Sequence, residues 1–136
     1  MSTKNQYLLM FNGNEGWKEL PVAQLQKLAD QAKAWVHGLM AQGKAKAAQA
    51  LAREGATISG KTGRVISDGP FAESKEAIGG YLLIEAESIE EVIEIAKGSP
   101  SLQLGTNIEI RPLSNECPLD KFACQKAEEQ LATANA

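Results

Sequence analysis

Histidine, cysteine and aromatic residues are all scarce in this sequence: one His, two Cys and 5% aromatics. A metal site usually draws on clustered His and Cys. His37 has no such neighbour, and Cys117 and Cys124 are neither closely spaced nor joined by a third Cys. No metal and no cofactor is expected. If the cysteines sit on a helix, their spacing separates them by about 10 Å, too far for an unstrained disulfide. Unpaired thiols point to a reducing cytoplasm. Long apolar runs are lacking too, and nothing approaches the eighteen or so residues that span a bilayer. Met1-Ser2-Thr3-Lys4-Asn5-Gln6 leads into no signal-peptide h-region. An excess of base is also missing. With 14 Lys and Arg against 17 Asp and Glu, the net charge is −3. That argues against nucleic acid or an anionic membrane as partner. Lys27, Lys33, Lys44 and Lys46 crowd one third of the chain and read as a solvated helix face and its exit.

What is present is an ordinary globular composition, 43% hydrophobic. At this length one domain buries about two-thirds of its unfolded surface. Gln6 to Phe11 is a short apolar run closed by Asn12-Gly13-Asn14, a buried strand and a loop. Trp17 follows as a loop aromatic, either a core lid or a binding platform. Pro21 opens a helix at its first position. Leu25, Leu28, Ala29, Ala32, Val36, Leu39 and Met40 recur at helical spacing, and Gly43 is the C-terminal stop. Lys44 to Arg53 is alanine-rich and has local helix propensity.

Ala56-Thr57-Ile58-Ser59 and Arg64-Val65-Ile66-Ser67 alternate about Gly60-Lys61-Thr62-Gly63, a β-hairpin pattern. Tyr81 to Glu85 is a strand. Ser88 and Glu91 form a capping box, after which Ile89, Val92, Ile93 and Ala96 face the core. Gly98-Ser99-Pro100 ends that helix, and Asn107 to Pro112 is the last strand. Two β-α-β units with an inserted hairpin suggest a ferredoxin-like α+β fold. Leu119, Phe122, Ala123, Ala127 and Leu131 share one face of an amphipathic C-terminal helix.

One stretch is dense in residues with fixed backbone meaning, Asp68 to Tyr81. Asp68-Gly69 is a turn pair, and Pro70 fixes its own φ and biases Gly69 away from the helical region. Phe71 anchors the turn. Gly79-Gly80 then permits a bulge or a close backbone approach before the strand. Most turn aspartates serve only their turn. The alternative makes this a pocket rim, with Asp68 as acid/base or ligand acceptor and Lys75 as an anion contact.

The run Asp68-Gly69-Pro70-Phe71-Ala72-Glu73-Ser74-Lys75-Glu76, followed by Gly79-Gly80-Tyr81-Leu82-Leu83-Ile84, resembles the signature of the YCII-related family, in its DGPF-domain branch. The resemblance extends to Tyr7-Leu8-Leu9-Met10 and to Ile108-Glu109-Ile110-Arg111-Pro112-Leu113, covering roughly residues 5 to 113. It implies a ferredoxin-like domain over 1–113 that forms a homodimeric α+β barrel; residues 114–136 lie outside the resemblance, as the helical extension read from their apolar face. It also implies that Lys44 to Arg53 holds the second strand. The broader family suggests catalysis by a His–Asp pair. His37, however, lies about 140° from the centre of its helix's apolar face at 100° per residue. The family's helical His would fall near Ala32, so that pair does not carry over. Asp68 carries over as the motif's Asp.

Gly55-Ala56-Thr57-Ile58-Ser59-Gly60-Lys61-Thr62 fits the phosphate-loop pattern. Such a loop needs a helix after it, whose N-terminus holds phosphate. Here a strand follows, so the match is treated as a decoy. With His37 outward, no Ser-His-Asp or Cys-His set can be assembled. Two functions remain. One is a small-molecule-binding protein or enzyme, with Asp68 catalytic and Gly69, Pro70, Phe71, Lys75 and Arg111 around the ligand. The other is a non-catalytic regulatory or interaction module.

Overall fold

The computed structural model describes residues 4–13, 16–52, 54–68 and 78–134. The elements run β1 (Asn5–Asn12), a 3-10 turn (Gly16–Glu19), α1 (Val22–Ala41), β2 (Ala45–Ala50), β3 (Ala56–Ser59) and β4 (Val65–Asp68). Then come β5 (Ile78–Ala86), α2 (Ile89–Lys97), a second 3-10 turn (Pro100–Leu104), β6 (Asn107–Pro112) and α3 (Pro118–Ala134). The protein is α+β. Four strands form an antiparallel sheet in the order β2-β5-β1-β6, and β3 and β4 form a separate hairpin.

Alternation along the strands sorts the sheet into two faces. Tyr7, Leu9, Leu82, Ile84 and Ala86 are buried on one face with Leu39, Val92 and Ala96 of the helices. Leu9, Leu82, Ile84 and Val92 are at most 1% exposed. Each such side chain removed from water stabilises the fold by about 1.5–3 kcal/mol. The opposite face carries Leu8, Met10, Tyr81 and Leu83, all partly buried, with Glu109 and Arg111 on β6.

Local chemistry sets the ends of the helices. Pro21 stands just outside α1 as its N-cap residue, one position earlier than expected. At the other end Gly43 adopts φ +74°, and the Gly43 and Lys44 amides donate to the Met40 and Leu39 carbonyls. This reversal satisfies two end carbonyls, and only glycine enters it without strain. The Glu91 amide donates to Ser88 Oγ at 3.3 Å, the expected cap of α2. Glu91 Oε2, however, accepts from the Glu87 amide at 3.1 Å rather than from Ser88.

Residues 45–50 are a strand, as the family resemblance implied and against local propensity. Pairing with β5 supplies the hydrogen bonds that an alanine-rich helix would have made for itself. On α2, Ile93 is 39% exposed, while Ile95 packs on the core instead. Helical spacing alone did not separate two isoleucines near the edge of the stripe. The apolar residues of α3 are exposed, Leu119 by 80%, Phe122 by 65% and Leu131 by 64%.

Candidate functional site

The sheet face under α1 is only partly filled. Between α1, the β2–β5 edge and the second 3-10 turn lies a cavity of ≈ 580 Å³. Its cause is side-chain size. Ala48 and Ala50 of β2 and Gly79 and Gly80 of β5 form the floor beside Leu82, while Ala32, Trp35 and Val36 of α1 form the roof. With α1 held at its distance by Leu39, Trp35 and Val36, alanine and glycine on the floor leave open volume that leucine would fill. A volume in the hundreds of cubic ångströms is the usual scale of a ligand pocket.

The glycine pair acts in two ways. Phe11 pairs with Gly80 but Asn12 pairs with Ile78, so Gly79 is the extra residue of a bulge. A Cβ on Gly80 would stand 3.0 Å from the Gln49 carbonyl oxygen and 3.4 Å from Ala50 Cα. Glycine is therefore what lets β2 pair closely with β5 at the cavity floor.

Aromatic groups wall the space. Phe11 meets Trp35 edge-on, with ring centres 6.4 Å apart and planes at 87°. Trp17 is 41% exposed and lines this cavity and a neighbouring one of ≈ 340 Å³. Lys18 Nζ stands 5.8 Å from its ring centre, within cation–π range. The polar side includes Ser99, Ser101 and Thr106, with Lys33 and His37 on α1. Ser99 is 6% exposed, and its Oγ lies 2.8 Å from Ser101 Oγ.

The sequence-derived site residues distribute unevenly around this cavity. Asp68 is the last residue of β4, paired with Ala56. Gly69, Pro70, Phe71 and Lys75 lie outside the described residues. Arg111 is exposed on β6 opposite Leu8, on the sheet face away from α1 and α2, and is not a cavity residue. Gly79 and Gly80, near the close of the same sequence stretch, do line the cavity. His37 is exposed as expected, yet it and Lys33 belong to the cavity lining. The sequence signal for the cavity was the run of small residues in 45–50 facing the glycine pair, legible only once the two strands are known to be neighbours.

The phosphate-loop match falls on the hairpin. Gly60 and Gly63 take φ +87° and +69°, and the Gly63 amide donates to the Gly60 carbonyl at 3.1 Å. A strand follows the loop, so there is no helix N-terminus to hold a phosphate. Among the described residues no group of three His, Cys, Asp or Glu side chains could hold a metal ion. Cys117 and Cys124 are free and exposed. The Cys117 thiol is held below its ordinary value by the backbone amide of Asp120, and secondarily by that of Leu119. No helix among the described residues is long and apolar enough to cross a membrane.

The chain is similar to known proteins in three respects. An uncharacterised protein of Rhizobium meliloti (strain 1021) is 37% identical over 51 residues, a match covering 37% of this chain and 41% of that protein. In fold, the chain is similar to the 5-chloro-2-hydroxyhydroquinone dehydrochlorinase of Burkholderia phenoliruptrix AC1100, solved with 2,5-dihydroxybenzoquinone. That likeness has a TM-score of 0.41 and 20% identity, over 76% of this chain and 90% of the other. The YCII-related domain matches residues 6–114, which span the four-stranded sheet from the second residue of β1 onward, the hairpin, α1 and α2, and the chain belongs to the YCII-related family.

Proposed function

We propose that this chain is a small-molecule-binding protein of the DGPF branch, enzymatic at the junction of the α1 cavity and the Asp68 loop. The observation that carries the reading is the cavity itself, ≈ 580 Å³ and walled by aromatics. Its floor strand is entered directly from the motif segment, since only residues 69–77 separate Asp68 from Ile78. In this reading Asp68 is the acid/base, Lys75 is an anion contact, and Gly69, Pro70 and Phe71 shape the rim. Arg111 would meet a ligand only on the opposite sheet face, so the cavity reading does without it.

The strand order β2-β5-β1-β6, with α1 and α2 as the connections, supports a ferredoxin-like reading of residues 1–113. The apolar residues Leu8, Met10, Tyr81 and Leu83 on the sheet face without helices support a homodimer, in which a partner sheet would cover them. Two such sheets face to face make the α+β barrel. Free, exposed cysteines fit a reducing compartment such as the cytoplasm.

A second reading, a non-catalytic interaction module, is favoured by one feature. The apolar residues of α3 and the hairpin's Ile58 and Ile66 (67% and 66% exposed) offer surface to a protein partner. A thermal-shift screen of a metabolite library on the wild type and Asp68→Asn separates the two. A ligand that raises the melting temperature of the wild type alone supports the site, since binding to the native state stabilises it by mass action. No hit, with Asp68→Asn melting far lower by itself, makes Asp68 a turn residue and favours the module.

A further inference from the structure

Charge is distributed selectively around the cavity. The sequence holds 17 Asp and Glu, yet no described carboxylate lines the space. The two basic side chains among the described lining residues are Lys33 and His37, four residues apart and so one turn apart on α1. Lysine is a cation, and an imidazole keeps at least one N–H to donate in either charge state. The far wall carries the hydroxyls of Ser99, Ser101 and Thr106, each able to donate one hydrogen bond. In the Ser99–Ser101 contact one hydroxyl donates to the other at 2.8 Å, which leaves the second O–H without an acceptor among the described residues. Such a lining, in an acidic protein, suits a ligand that brings acceptors and negative charge.

Shape narrows the class further. Over Ala48, Ala50, Gly79 and Gly80 a ligand can lie close to the peptide planes, because no long side chain rises from that floor. Trp35 and Phe11 meet edge to face and offer a ring surface beside it. A flat, conjugated body fills this slot with more contact than a branched one.

We infer that the cavity takes a small organic anion with a flat apolar body, its charge at Lys33 and His37 and its body between Trp35 and the Ala48–Gly80 floor. This rests on the cavity being the binding site, and the test keeps the two apart. Calorimetric titration with trans-cinnamate, neutral cinnamamide and cationic cinnamylammonium presents one flat body in three charge states. Both tryptophans of the chain line the cavity, so intrinsic fluorescence gives an independent readout.

Cinnamate is expected to bind about tenfold more tightly than the amide, a difference of about 1.4 kcal/mol, with the ammonium weakest. Lys33→Gln combined with His37→Gln should reduce that preference to less than about threefold while amide binding holds. Ala48→Leu, which fills the floor, should weaken all three. Equal binding of cinnamate and the amide, with the amide lost in Ala48→Leu, overturns the charge inference and leaves the cavity reading standing. No binding by any probe, or cinnamate binding unchanged in Ala48→Leu, overturns both.

Discussion

Helices α1 and α2 cover the same sheet face, yet they leave different volumes beneath them. Under α2 the space is filled, with Val92 at 0% and Ala96 at 6% exposure against Ile84 and Ala86 of β5. Under the part of α1 that spans β2, the sheet presents Ala48, Ala50, Gly79 and Gly80, and a cavity results. The two β-α units are alike in order and in strand pairing. Their difference lies in side-chain volume at a few floor positions. One half supplies core; the other gives up core contacts and gains a site.

Ile84→Ala tests the filled half most severely. Ile84 is fully buried, so truncation should cost about 2–5 kcal/mol in urea unfolding, through lost transfer energy and a residual cavity. A loss below about 1 kcal/mol would mean that this half is no better packed than the other. Gly80→Ala comes next. The added methyl would meet the Gln49 carbonyl oxygen at 3.0 Å, and the strand must shift at a cost of about 1–3 kcal/mol. Crosspeak shifts confined to β2 and β5 in an amide NMR spectrum would locate the strain. Ser88→Ala removes the cap of α2 and should cost about 1 kcal/mol, read as a lower urea midpoint at unchanged slope.

Ala48→Leu should change stability least, by less than about 1.5 kcal/mol, because the cavity has room for the new side chain. A large destabilisation there would show that the α1 half is tightly packed after all, and would erase the contrast. Away from both halves, Cys117 should alkylate with iodoacetamide faster than Cys124 at neutral pH. Backbone amides of Asp120 and Leu119 favour its thiolate, so its rate should fall at a lower pH than that of an ordinary thiol. Equal rates would remove that role from the α3 terminus.

Much of the architecture was legible in the residues. Strand limits at Asn107–Pro112, the hairpin about Gly60 and Gly63, and the Ser88 cap follow from local rules and stand in the structure. Ile93 and Ile95 were not legible, because both lie near the edge of an apolar stripe and only the sheet's position decides which is buried. The candidate site was legible in part. Gly79-Gly80 announced a bulge or a close approach, and the structure has one of each. Lys33 and His37 read as solvated residues, which their exposure matches, but a helical wheel does not reveal a cavity beside them.

By itself the sequence determined the elements, their turns and the family, because those rest on short-range stereochemistry: glycine at positive φ, proline at a helix start, alternation along strands. Tertiary structure decided the rest. Residues 45–50 became a strand because β5 supplied hydrogen-bond partners that no local window contains. The cavity exists because two runs of small residues, far apart in the chain, were brought side by side under one helix. Volume is a property of neighbours in space, so the functional surface appeared only when the strands were paired.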